Sequence, residues 1–250
     1  GMISSQIKGL LVPICAYVVM AISLNLTVGI LGELSLGHAG FMSVGAFAGI
    51  VTTTCLADAI PLAPLRLAVA MIVGAVFAAL AGVIVGVPVL RLKGDYLAIV
   101  TLAFGEIIKN LINVMYVGVD QHGFHFSIKD TTSLGMDDTG VVIIKGAQGA
   151  TGNARIATFA MGFALVMITL VVVLNLVRSR TGRAIMAIRD NRIAAESVGI
   201  NVTKYKYLAT CIGSMIAGLG GLYYVMDYAC GVWSNNAFGD RGRLAIALVI

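Results

Sequence analysis

Charge is scarce in this sequence. Asp, Glu, Lys and Arg make up 12% of its 250 residues, against roughly 25% in an average soluble domain. So few charges cannot cover a soluble fold in which 59% of residues are hydrophobic and mean hydropathy is +0.96. Cysteine is sparse as well. Cys15, Cys55, Cys211 and Cys230 lie in or beside apolar runs and form no CxxC pair, so they read as buried small hydrophobes rather than redox or metal groups. His122 and His125 flank Gly123-Phe124 in a polar connection rather than on a helix face, which leaves a metal site without support. No Gly-x-x-x-x-Gly-Lys-Ser/Thr phosphate loop is present, so the sequence offers no nucleotide-phosphate cradle of that type. A proton-coupled secondary transporter would be built from internal repeats, and none is visible. An intramembrane enzyme would need paired histidines or carboxylates inside its spans.

Long apolar runs are what the chain has in quantity. A spanning helix takes about 20 mostly apolar residues to cross roughly 30 Å of hydrocarbon. The stretches Gly9 to Gly32, Leu34 to Ala57, Leu67 to Leu90, Ile156 to Val177 and Tyr207 to Met226 are free of acidic and basic residues, His38 aside. Gly94 to Val117 is of the same length but carries Asp95, Glu106 and Lys109. Six spans are therefore expected, in an all-α, polytopic transmembrane bundle read as one domain over 1–250. A further run from Leu244 stops at Ile250, so the chain is expected to be incomplete at its C-terminus, and Gly1 before Met2 reads as a cloning remnant. The first apolar run is too long for a cleaved signal peptide and no small-residue cleavage site follows it. It is kept as a span.

The net charge of +5 does not point to nucleic acid, because it is concentrated. Seven basic residues, Arg178, Arg180, Arg183, Arg189, Arg192, Lys204 and Lys206, stand in the 178–206 connection against Asp190 and Glu196. The positive-inside rule places that connection in the cytoplasm. The 118–155 connection holds Lys129, Lys145 and Arg155 against Asp120, Asp130, Asp137 and Asp138, and is expected outside. The same count places Arg91 and Lys93 inside and the N-terminus outside, against Lys8 alone.

Four stretches say more. From Asn25 to Phe41, glycines at 29, 32, 37 and 40 with Ser35 among them make a poor continuous helix. Non-helical backbone at membrane depth must be buried in protein or line a watery cavity. A broken or re-entrant segment near residues 25–45, with Asn25, Ser35 and His38 on the translocation path, is one reading. A tight turn between two spans, with His38 a hydrogen-bonded interior histidine, is the other. From Leu90 to Lys109, Glu106 and Lys109 share a helix face, and an ionisable pair inside a span faces either water or protein. Thr101 and Glu106 are the path candidates there; a structural pair near the outer interface, with Lys109 snorkelling, fits equally.

From Gly182 to Asn201, Ala, Ile and Met recur at helical spacing through Ile188. Asp190 or Asn191 can cap a second short helix, which Gly199 would close in a left-handed conformation. Two short capped helices make a cytoplasmic knob; a basic amphipathic segment lying on anionic lipid is the competing reading. Finally, Gly74, Ala78, Gly82 and Gly86 recur every four residues, a small-residue face that lets a neighbouring helix approach closely.

Three of these motifs resemble a known family. Ala194-Ala195-Glu196 followed by Gly199 is similar to the cytoplasmic "EAA" loop of ABC importer permeases. Ser35-Leu36-Gly37-His38-Ala39-Gly40-Phe41, the run from Lys93 to Leu102, and Gly182-Arg183-Ala184 through Gly199-Ile200-Asn201 resemble the branched-chain amino acid permease family, LivM type. The resemblance covers about Asn25 to Tyr224. It implies an ABC importer permease fold and a transport subunit rather than an enzyme, multi-pass in the bacterial inner membrane. It also implies a second, LivH-like permease, two cytoplasmic ATPase subunits that carry ATP and Mg, and an extracytoplasmic binding protein for branched-chain amino acids. This chain itself would bind no cofactor or metal. Gly182, Arg183, Arg189, Ala194, Ala195, Glu196 and Gly199 would belong to the ATPase-coupling loop. A sugar or nucleoside permease of the same class is the alternative. Two departures stand out: the region Asp120 to Arg155 is longer and more polar than the family's compact connection, with Gly146-Ala147-Gln148-Gly149 as its remnant, and Asn235 to Arg243 replaces an expected glycine-rich span. No function is assigned beyond Met226.

Overall fold

The computed structural model describes residues 5–56, 63–89, 92, 95–120, 123–127, 141–145 and 158–226. Helix α1 (Ser5–Asn25) runs into a wide π turn (Leu26–Ile30), and α2 is His38–Cys55. Next come α3 (Ala63–Val89) and α4 (Asp95–Val114), followed by strands β1 (Tyr116–Asp120), β2 (Gly123–Ser127) and β3 (Val141–Lys145). The chain returns through α5 (Phe159–Arg178), the short α6 (Arg180–Asp190) and α7 (Arg192–Ser197), and α8 (Val202–Val225).

The protein is a polytopic transmembrane helical bundle. Helices occupy all six expected spans. Four, over Leu11–Ile30, Pro64–Pro88, Phe159–Arg178 and Val202–Val225, are long and apolar enough to cross a membrane. Helix α2 is shorter, at 18 residues, and α4 carries Asp95, Glu106 and Lys109. The expected seventh run from Leu244, the segment Asn235 to Arg243, Gly146 to Gly149, Arg91, Lys93 and Cys230 lie outside the described residues. Cys15, Cys55 and Cys211 are free thiols.

One expectation needs correction. The span expected to reach Val117 stops at Val114, and the polar connection beyond it is not simply loop. Tyr116 and Val117 belong to a three-stranded antiparallel sheet in the order β2-β1-β3. Its register runs Tyr116 opposite Ser127 on one side and opposite Lys145 on the other, with an irregularity between Val117 and Gly118. Alternating β-branched and aromatic residues suit a pleated ladder better than a helix end, so a small sheet accompanies the expected helical bundle.

Helix α8 is the centre, packed against α1, α2 and α3. The contacts are close because small residues face one another. A Cβ on Gly74 of α3 would stand 2.7 Å from the Gly45 carbonyl of α2, and one on Gly218 of α8 would stand 2.5 Å from the Ala78 Cβ. Gly82 faces Ser214 of α8. Gly74, Ala78, Gly82 and Gly86 are all buried, whereas Leu80 is 53% exposed. This is the backbone-to-backbone packing that small-xxx-small patterns permit in lipid. Outward, α4 and α5 present large apolar side chains such as Ile99, Leu111, Phe163 and Ile168.

Helix directions define two ends. Tyr223, near the C-terminus of α8, donates its hydroxyl to the Thr158 carbonyl at 3.2 Å, at the start of α5. Helix α5 runs antiparallel from there to α6 and α7, which pack on the N-terminal part of α8. The sheet follows the C-terminus of α4 and contacts α2 through β3. Sheet and short helices thus occupy opposite ends.

Candidate functional site

The break between α1 and α2 is built from backbone that leaves helical geometry in stages. Leu31 N–H donates five residues back to the Leu26 carbonyl, and Glu33 N–H reaches Thr27, both at 3.1 Å. Gly32 turns the chain at φ 77°, in the left-handed region. Leu36 N–H donates to Thr101 Oγ1 of α4 at 3.1 Å, and Thr101 Oγ1 donates to the Ala98 carbonyl at 2.9 Å. Gly37 packs so tightly on the Thr101 carbonyl that no side chain would fit. Wide turns of this kind are rare and concentrate at functional sites.

A small cavity of 30 Å³ lies beside the break, lined by Thr27, Leu31, Glu33, Ser35, Phe41, Val85, Gly86, Leu97, Thr101 and Thr210. That volume suits water rather than an amino acid. Of the path candidates, Ser35 and Thr101 line it. His38 does not: its ring is 1% exposed and ties three helices together. Its Nε2 lies 2.9 Å from Ser23 Oγ, which donates to the Gly213 carbonyl at 2.5 Å. Since the serine proton goes to Gly213, Nε2–H must donate to the serine. The ring also stands edge-on to Phe41, centroids 5.9 Å apart. This is the geometry of an interior, hydrogen-bonded histidine. Asn25 is exposed and packs over Gly29. Glu106 is part-exposed on α4, paired with Lys109 at 3.0 Å, and is not among the cavity-lining residues.

Thr27, Glu33 and Thr210 line the cavity but carry no sequence motif. Glu33 offered one signal: it is the first acidic residue of the chain, standing alone between two uncharged runs. A lone acid at the edge of a span needs a cation, and the structure supplies Lys206 of α8, buried, in a direct ion pair with Glu33.

At the same end, α6 and α7 form the knob. Ser179 Oγ accepts from Gly182 N–H at 3.1 Å and caps α6; a Cβ at Gly182 would collide with the Leu176 and Val177 carbonyls. Arg183 is exposed and donates to the Arg178 carbonyl. Asn191 Oδ1 accepts from Ala194 N–H at 3.1 Å and caps α7. Gly199, at φ 84°, closes it in a Schellman arrangement. Gly199 N–H bonds to Glu196 O at 3.0 Å and Ile200 N–H to Ala195 O at 3.1 Å. Ala195 is buried with Ile188 and Val202, which orients the rest of α7 outward. Ala194 is exposed, Glu196 pairs with Arg192 at 3.0 Å, and Ile193 and Val198 are 80% and 74% exposed. Arg189 reaches back to the carbonyl of Gly29 at 2.9 Å.

Residues 6–250 match the family model described as branched-chain amino acid transport system / permease component. The chain belongs to that family. This chain is 34% identical over 83% of its length to the high-affinity branched-chain amino acid transport system permease protein LivM of Salmonella typhimurium, covering 49% of that protein. It is 33% identical to the Escherichia coli protein of the same name, with the same coverage. The chain thus spans about half the length of these relatives. A putative glucose ABC transporter permease protein of Haloferax volcanii matches over 40% of the chain at 30% identity. No solved structure matches significantly.

Proposed function

We propose that this chain is the membrane-spanning subunit of an ATP-driven importer of branched-chain amino acids in the bacterial inner membrane. It would line the translocation path and bind no cofactor of its own. Two cytoplasmic ATPase subunits would hydrolyse ATP with Mg, a second LivH-like permease would complete the path, and an extracytoplasmic binding protein would deliver leucine, isoleucine or valine. The observation that carries this reading is the knob. Asn191 and Gly199 hold α7 rigid, and Ala195 anchors it so that Ile193, Glu196 and Val198 face outward together. Apolar side chains at such exposure beside a charged pair suit a protein partner better than a solvated loop. The basic surroundings favour a cytoplasmic position for the knob by the positive-inside rule, where ATPases would reach it. The names of the relatives supply the substrate class.

A sugar or nucleoside substrate is the second reading, favoured by the Haloferax match and by a nucleoside ABC transporter permease of Lactococcus lactis matching 36% of the chain at 25% identity. The test is uptake into proteoliposomes holding the assembled complex, with labelled leucine, isoleucine, valine, glucose and adenosine offered in turn. Uptake of the three amino acids only with ATP inside supports the proposal. Uptake of glucose or adenosine instead transfers it to the second reading, and uptake driven by a proton gradient without ATP overturns both.

A further inference from the structure

Two basic residues counted in the cytoplasmic connection reach back toward the break. Arg189, in the last turn of α6, donates Nη1–H to the Gly29 carbonyl at 2.9 Å, while its Nε and Nη2 both donate to Asp190 Oδ1 at 3.2 Å. Asp190 therefore holds the guanidinium in the orientation that reaches Gly29. Gly29 sits in the wide turn, where carbonyls at a helix end lack intrahelical partners and a cation is favourable. The approach is tight, since a Cβ on Gly32 would stand 2.5 Å from Arg189 Cγ. Lys206, in the second turn of α8, is buried and paired with Glu33. Between these polar contacts lies an apolar one, in which Leu31 packs with Ile185 of α6 and Ala209 of α8.

Residues 29–33 are thus held to the knob and to α8 by a carbonyl hydrogen bond, an apolar cluster and a buried ion pair in sequence. Leu31 and Glu33 are also part of the cavity wall. We propose that Arg189, Glu33 and Lys206 are positioning residues forming a clamp that makes the knob and the broken segment move as one body. A displacement of α7 by a docked ATPase is then delivered to the cavity wall. The clamp rests on the docking reading above, and none of its three residues needs to touch ATP or the carried solute. A basic segment held on lipid would instead turn Arg189 and Lys206 toward headgroups and leave the break untied.

Hydrogen exchange at backbone amides of residues 27–36 tests this, in the assembled permease–ATPase complex in nanodiscs, with and without ATP. Exchange reports local opening of that segment. Wild type is expected to change exchange there on ATP binding. Arg189→Gln and Lys206→Met are each expected to shrink that change at least about fivefold, the low end of typical coupling between sites. The exchanged pair Glu33→Lys with Lys206→Glu is expected to recover what Lys206→Met loses. A response in both single variants as large as in wild type overturns the clamp, as does an exchanged pair no better than Lys206→Met. Should Lys206→Met fail to assemble, Arg189→Gln decides alone, because Arg189 is 43% exposed and its loss leaves no buried charge unpaired. A wild-type complex that responds to ATP but imports no branched-chain amino acid overturns the substrate reading and leaves the clamp standing. Wild-type permease that recruits no ATPase overturns docking and the clamp together.

Discussion

Replacing Gly82 by leucine is expected to destabilise the bundle by about 3 kcal/mol, the upper end of the usual overpacking cost. The figure follows from what stands opposite. A Cβ at position 82 falls on Ser214 Oγ of α8, and leucine adds three carbons beyond that Cβ. Ser214 is fully buried and donates to the Cys211 carbonyl at 2.9 Å. Turning it aside would break that bond, at about 1 kcal/mol, and still leave the leucine unaccommodated. Gly74→Ala meets a harder obstacle, because the atom 2.7 Å away is the backbone carbonyl of Gly45, so α2 itself must shift. Leu80→Phe, on the lipid-facing side, is expected to stay within about 0.5 kcal/mol of wild type. For a chain of this size each kcal/mol moves the midpoint by about 2–4 °C, which puts Gly82→Leu about 6–12 °C below wild type. Thermal unmasking of the buried Cys15 thiol by a fluorogenic maleimide, in detergent-purified protein, reads this directly. If Gly82→Leu and Leu80→Phe unfold at the same temperature, the small-residue face does not determine packing here.

Three further outcomes are expected. A cysteine at Asn191 should react with an impermeant thiol reagent only in opened membranes, and one at Asp137, which lies outside the described residues, should react in intact cells; the opposite pattern inverts the topology. Gly199→Val should impair transport and substrate-stimulated ATP hydrolysis together. The site has open space around it, so the cost is that of the positive φ alone, of order 1 kcal/mol, and Gly199→Asn should retain function because asparagine tolerates that region; equal loss in both variants would refute a conformational role. Ser23→Ala should leave His38 Nε2–H buried without an acceptor and cost about 1–3 kcal/mol, measured by the same thermal assay, with no loss expected if His38 works as a proton carrier independent of Ser23.

What could be read from the sequence was local. Asn191 and Gly199 are eight residues apart, and cap and closing glycine act on neighbouring backbone, so their conformations follow from residue type. The face carrying Gly74 and Gly82 was legible because helical periodicity alone defines it. Pairing across the bundle was not. Glu33 and Lys206 are 173 positions apart, and nothing in either neighbourhood names the other. Lys206 looked like one more loop cation because its burial depends on where α8 begins. His38 drew notice for its ionisable ring, yet its role is set by Ser23 and Gly213, which packing brings to it. The sheet was hidden because Tyr116 and Val117 continue an apolar run, and only strand partners distinguish a strand there from the last turn of a helix.

The contact among α2, α3 and α8 has a mechanical corollary. Where glycine meets a carbonyl at van der Waals distance, no side chain stands between the two helices that could switch rotamer and let them adopt a second arrangement. Bistable interfaces need such alternatives, and this one has none at Gly45, Gly74 and Gly218. At these positions the three helices are expected to act as a keel, carried along or tilted together rather than sliding past one another. Any stroke is then expected to bend elsewhere, and among the described residues the backbone between α1 and α2 is already unwound.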